Sequence, residues 1–121
     1  MRKDFVSTLN KGFQMTFSNG INISVQYGYG NYCENSSYMG NDWNYDKPQI
    51  FESNDAEIMI EVDSKPITAA FCDYNGIRND GSVAGWLTTD EVATAIAWAQ
   101  GLNEKRIEAA IKYCQREKAQ W

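Results

Sequence analysis

Tyr27, Tyr29, Tyr32, Tyr38, Trp43 and Tyr45 lie in one stretch, YGYGNYCENSSYMGNDWNY, interleaved with Gly and Asn and without a single Lys or Arg. Side chains of these types suit recognition of a flat, polar molecule. An aromatic face stacks on a planar base whatever its identity, and an Asn amide offers both a donor and an acceptor to the edge of that base. The stretch is too aromatic for a solvated linker, because aromatic surface favours burial, and too rich in Gly and Asn for a regular core element. The loop over residues 27–52 is therefore expected to fold over its own sheet or over a ligand. Tyr27 continues a strand alternation, which leaves Tyr29, Asn31, Tyr32 and Trp43 as the candidate ligand platform. The plainer alternative is a set of rings that cover an open sheet face with their polar tips at the surface.

Cations are distributed differently. No basic residue lies between Lys11 and Lys47, whereas the last stretch carries Lys105, Arg106, Lys112, Arg116 and Lys118 against Glu104, Glu108 and Glu117. Arg is the residue type suited to phosphate, since its planar fork engages two oxygens at once. Arg106 shares a helical side with Ala109, Ala110 and Tyr113, small neighbours that allow close approach, and Arg116 lies about three turns on. Arg78, in GIRNDG, sits in a Gly-containing turn whose amides could add donors to an anion. A solvated helix face with Lys and Glu at pairing distance is the competing reading of the late cations.

The rest of the chain argues for binding over catalysis. It contains no His, so triads built on that residue are excluded and the commonest acid–base group is missing. There is no GxxxxGK[ST] phosphate loop. Cys33, Cys72 and Cys114 are an odd, widely spaced set that makes neither a disulfide framework nor a four-ligand zinc site. They are expected to be buried free thiols in a reducing compartment. Glu57, Glu61, Asp63, Asp80 and Asp90 include no pair set apart for acid–base work. Asp90 and Glu91 suit a helix N-terminus, and Glu57 and Glu61 share a strand face that is expected to be solvated. No catalytic residue, metal or cofactor is expected.

The formal charge of −5 opposes direct DNA or RNA binding, which needs clustered cations. The longest apolar runs are too short to cross a membrane, and the start, MRKDFVSTLN, lacks the continuous apolar stretch of a secretory signal. A soluble, cytoplasmic protein is expected.

Positioning of the candidate residues falls to one domain over residues 1–121. Phe13, Met15 and Phe17 alternate with polar neighbours, as do Ile21, Ile23, Val25 and Tyr27, which is the signature of half-buried strands. A two-residue Asn-Gly turn would leave the two apolar sets on opposite faces. A three-residue Ser18-Asn19-Gly20 loop, with Gly20 left-handed, unites them by pairing Phe17 with Ile21, Met15 with Ile23 and Phe13 with Val25. Ala56, Ile58, Ile60 and Val62 alternate likewise, and Asp63 to Pro66 is expected to turn the chain into a returning strand at Ile67 to Cys72. Trp86-Leu87 reads as an apolar anchor before the first helix.

Thr88-Thr89-Asp90-Glu91 fits a capping box. It predicts a helix with Val92, Ile96 and Ala99 inward and a left-handed stop at Gly101. Asn103 caps a second helix whose apolar stripe is Ile107, Ala110, Ile111 and Cys114. The expected fold is α+β: a mainly antiparallel sheet from two hairpins over residues 1–87, followed by two C-terminal helices over residues 88–121 packed on it. Residues 1–10 are read as a short helix, an edge strand or an arm.

The order of the segments FSNGINISVQYGYGNYC, SNDAEIMI and GWLTTDEVATAIAWAQ resembles the phage Thoeris anti-defence sponge family, first type. The resemblance implies a phage-encoded anti-defence protein that sequesters a cyclic ADP-ribose signal without turnover. It also implies assembly as a homodimer or higher homo-oligomer in the host cytoplasm. It supplies the ligand class, a small-molecule cyclic nucleotide, and no residue-by-residue site. Across a dimer, rings of one subunit could face cations of the other. Two other classes compete: an acidic, protein-binding inhibitor of a host defence nuclease, and a small virion structural protein.

Overall fold

A computed structural model describes residues 3–8, 11–36 and 52–119. The elements in chain order are β1 (Phe5–Ser7), β2 (Gly12–Thr16), β3 (Asn22–Gln26), β4 (Ala56–Val62), β5 (Lys65–Pro66), α1 (Thr68–Asn75), β6 (Ala84–Leu87), α2 (Thr89–Gln100) and α3 (Glu104–Ala119). The strands form one antiparallel sheet in the order β1-β2-β3-β4. The other edge of β4 is shared, with β6 at its start and β5 at its end. The fold is thus α+β, an antiparallel sheet with helices on it, as the hydrophobic pattern implies. Among the described residues no helix is long and apolar enough to cross a membrane.

The first hairpin adopts the three-residue loop. Phe13 pairs with Val25 and Met15 with Ile23, Phe17 donates to the carbonyl of Ile21 at 2.9 Å, and Gly20 sits at φ 87°. A shift of one residue would turn Ile21, Ile23 and Val25 away from the core, and these three are almost fully buried. Ile23 and Val25 meet Ile60 and Ile58 across the β3–β4 ladder. Within the first ten residues, Phe5–Ser7 is the edge strand of the sheet.

Two expectations are corrected. The segment from Ile67 to Cys72 is not a returning strand: pairing stops after Lys65 and Pro66, and α1 begins at Thr68. Pro66 has no N–H to extend a ladder, and the Thr-Ala-Ala-Phe-Cys run that follows holds good helix formers. Thr68 fastens the new helix to the sheet, its hydroxyl accepting from the N–H of Ile60 at 2.9 Å. Ile67 and Phe71, four residues apart, are both fully buried. The chain therefore has three helices among its described residues rather than two, and α1 falls inside the region read as sheet.

The second correction concerns Gly101, which is right-handed at φ −85°. A left-handed cap is unnecessary there, because Asn19 of the first hairpin loop donates to the carbonyls of Ala99 at 2.8 Å and Leu102 at 3.1 Å. Carbonyls left over at the helix end are satisfied from the far side of the sequence. The capping box at Thr88 and Glu91 is formed in both directions, and Asn103 accepts from the N–H of Arg106 at 2.9 Å. α2 lies over β3, β4 and β6, while α1 sits on β4 and β6 and carries α3 on its flank. Phe71 of α1 meets Trp98 of α2 edge to face, with ring centroids 5.5 Å apart.

Candidate functional site

The loop that leaves β3 is pinned by carboxylates and amides. Glu57 of β4 accepts from the side-chain amide of Asn31 at 3.3 Å and from the N–H of Tyr32 at 2.9 Å. Asn35 donates to the carbonyls of Tyr27 at 2.7 Å and Glu52 at 3.0 Å, and Asp55 accepts from the N–H of Glu34 at 2.7 Å. Glu57 is therefore not a merely solvated carboxylate. Glu61 departs from expectation too, since it is buried along with Asn22, Ser24 and Gln26 of β3.

Opposite Glu57, β6 carries a bulge. Ala84 pairs with Ile58 and Leu87 with Ala56, so Gly85 and Trp86 together face one residue of β4. The N–H of Trp86 turns instead to the carbonyl of Tyr32, at 2.8 Å. Gly85 is required by this approach: a Cβ there would lie 2.3 Å from the Cβ of Tyr32. The bulge holds Trp86 at φ 59°, a conformation that costs an L-residue about 1–2 kcal/mol. Trp86 nonetheless remains in the open, 53% exposed, and Tyr32 is 47% exposed. The expectation that Trp86 anchors the core alongside Leu87 is corrected, because only Leu87 is buried.

Asp80 joins a cation to the bulge. One of its carboxylate oxygens accepts from the N–H of Gly85 at 3.2 Å, and the other lies 3.4 Å from Nε of Arg78. The Arg78 side chain is 90% exposed, so most of its five donors face solvent or a ligand. Between them in the chain, Asn79 has a buried side-chain carbonyl oxygen without a hydrogen-bond partner. Hydrogen bonds and an ion pair through Tyr32, Gly85 and Asp80 thus link the segments that carry exposed Tyr32, exposed Trp86 and Arg78, residue types suited to stacking and to an anion.

The other sequence-derived candidates are placed as follows. Tyr29 has the ammonium of Lys11 over its ring, 3.5 Å from the centroid. Asn31 has both ends of its amide engaged, its oxygen accepting from the N–H of Gly28 at 3.1 Å and its nitrogen donating to Glu57 of β4. Trp43 lies outside the described residues. Arg106 and Arg116 are exposed on α3, which packs on α1 and β5. Among the described residues, no hydrogen bond or ion pair ties either Arg to Tyr32, Trp86 or Arg78.

The sequence pattern places none of Trp86, Glu57 and Asp80 at a binding site. A signal existed for Trp86: two consecutive apolar residues in a strand cannot both face one core, so either Trp86 or Leu87 had to point outward. The cysteines are free thiols. Burial pushes the Cys72 thiol up to about 11, with Asp80 and Cys114 adding to it. Burial likewise raises Cys33, against hydrogen bonds from Asn35 and Ser53 that lower it. Among the described residues no group of three or more His, Cys, Asp or Glu is arranged to hold a metal ion. Comparison with protein-family models, curated proteins and solved structures finds no match to this chain.

Proposed function

We propose that this protein binds and sequesters a cyclic nucleotide signal, of the cyclic ADP-ribose class, without turning it over. The observation that carries the reading is Trp86, an indole kept on the surface at φ 59°. Strain of this kind persists where the surrounding structure over-determines it, and it clusters at ligand sites. A base stacked on Trp86 or Tyr32 would gain about 1–3 kcal/mol per ring contact. Arg78 supplies the phosphate partner, with its orientation biased by Asp80. The resemblance in segment order narrows the ligand to a cyclic ADP-ribose isomer acting in phage anti-defence. Arg106 and Arg116 would join the site from a second copy in a homodimer or larger homo-oligomer.

A thermal-shift panel of cyclic ADP-ribose isomers and cyclic oligonucleotides tests this reading. A ligand at about a hundred times its Kd adds roughly 2.7 kcal/mol of stability. A flat response across the panel would remove the nucleotide from the proposal.

A protein-binding inhibitor of a defence nuclease is the second reading. Its support is the exposure of Tyr32, Tyr74, Trp86 and Arg78, the residue types that dominate protein interfaces. Binding to a basic nuclease channel would weaken steeply with added salt. Sequestration of a small ligand needs no macromolecular partner.

A further inference from the structure

On the helix-covered face of the sheet, opposite the side to which Glu57 points, a cleft of about 460 Å³ opens between the strands and α2. Phe13, Val25 and Leu87 line its sheet side, and Val92 and Ile96 its helix side. Small residues explain the space: Ala56 on β4 and Ala93 on α2 both border it, where larger side chains would close it. The volume falls within the usual range for small-molecule pockets, about 300–1,000 Å³. Tyr32, Arg78 and Trp86 are not among the lining residues.

The chemistry of the rim selects the occupant. Of the residues lining the cleft, the charged ones are Glu52 and Asp55, both carboxylates. Glu34 stands on the same side, its carboxylate accepting from the amide of Asn54 at 3.1 Å. The start of α2 also borders the cleft and would on its own favour an anion. That preference is already met from within the chain, by the Thr88–Glu91 capping box and by Asp90. Lys11, at the neighbouring end of β2, directs its ammonium onto the ring of Tyr29.

We propose that this cleft is a second binding site, for a small amphipathic organic cation: an apolar or aromatic body seated between Phe13 and Ile96, with one ammonium group at the Glu52–Asp55 rim. The body removes apolar surface of the cleft from water, and the ammonium exchanges part of its hydration for the carboxylates. Such a ligand is distinct in charge from the anion expected at Arg78.

The test is titration of the isotopically labelled full chain with 2-phenylethylammonium, 2-phenylethanol and 3-phenylpropionate, followed by amide chemical shifts. The ammonium compound is expected to shift residues of α2 and of the segment before β4, and to bind at least about fivefold more tightly than the alcohol at low salt, with the carboxylate weakest. Glu52→Gln should shrink that preference, and Ala93→Trp, at an exposed helix position, should abolish binding of all three. Equal binding of the three compounds would overturn the proposal, as would unchanged binding in Ala93→Trp. Shifts of the same amides with protein concentration alone would assign the cleft to a second copy and overturn it as well.

Discussion

The N–H of Trp86 donates to the carbonyl of Tyr32 at 2.8 Å, tying the bulge of β6 to the aromatic loop that follows β3. Through this bond, and through Glu57 on the strand between them, the backbones of two exposed aromatic residues distant in sequence are brought together. The placement of these two residues depends on backbone geometry as much as on side-chain identity.

Trp86→Gly should leave stability within about 1 kcal/mol of the parent or raise it. Relief of the left-handed strain offsets the lost contacts of a half-exposed ring. Urea denaturation measures this directly. A loss of more than about 3 kcal/mol, the scale of a buried aromatic, would make Trp86 a core residue after all.

Gly85→Ala should behave in the opposite way. The added methyl group would lie 2.3 Å from the Cβ of Tyr32 and 3.1 Å from its carbonyl oxygen, so the loop must move. A destabilisation of about 1–3 kcal/mol is expected from overpacking of this kind. Tyr32 amide and ring resonances should shift along with it, and an unchanged spectrum would contradict the close approach.

Asn19→Asp tests the clamp between the first hairpin loop and the end of α2. Aspartate retains an acceptor for the N–H of Ile21 but offers no donor to Ala99 and Leu102, and it sets a negative charge against helix-end carbonyls. A loss of about 2 kcal/mol is expected, exceeding that of Asn19→Ala. Equal losses in the two variants would show that charge at this helix end is immaterial.

The Cys72 thiol predicts a pH dependence. Its value in the folded state, about 11, lies above the ordinary 9.0, so the folded chain holds the proton more tightly than the unfolded one. The contribution is fully present below pH 9 and is lost as pH rises through 11, a decline of up to roughly 3 kcal/mol. Cys72→Ala should lessen the decline over that window, leaving the smaller part that the raised Cys33 thiol contributes. Under native conditions a thiol reagent should modify half-buried Cys114 before Cys33 or Cys72, both of which are buried.

The parts of the fold that were legible in the sequence are those in which one local pattern decides. Phe13, Met15, Ile23 and Val25 set the hairpin register by alternation, and Thr88, Glu91 and Asn103 announce their helices through caps that need only neighbouring residues. α1 was missed because Ile67 to Cys72 is apolar apart from Thr68, a pattern that fits a short strand as well as a short helix. β6 was missed because its bulge breaks the alternation in a four-residue strand. The candidate site was half legible. Tyr32 and Arg78 stood out by type, but the exposure of Trp86 depends on Glu57, Asp80 and Tyr32, none of them near it in the pattern that sequence periodicity can read.

Calorimetric titration of cyclic ADP-ribose isomers into the parent protein, Trp86→Ala and Arg78→Ala tests sequestration most directly, with the bound nucleotide recovered by heat denaturation and analysed intact. One isomer is expected to bind the parent tightly and to return unaltered. Loss of about 1–3 kcal/mol of stacking in Trp86→Ala should weaken it roughly five- to a hundredfold, with Arg78→Ala also weaker and both variants folded. No heat from any isomer, equal affinity in all three proteins, or recovery of a cleaved nucleotide in excess of the protein would contradict it.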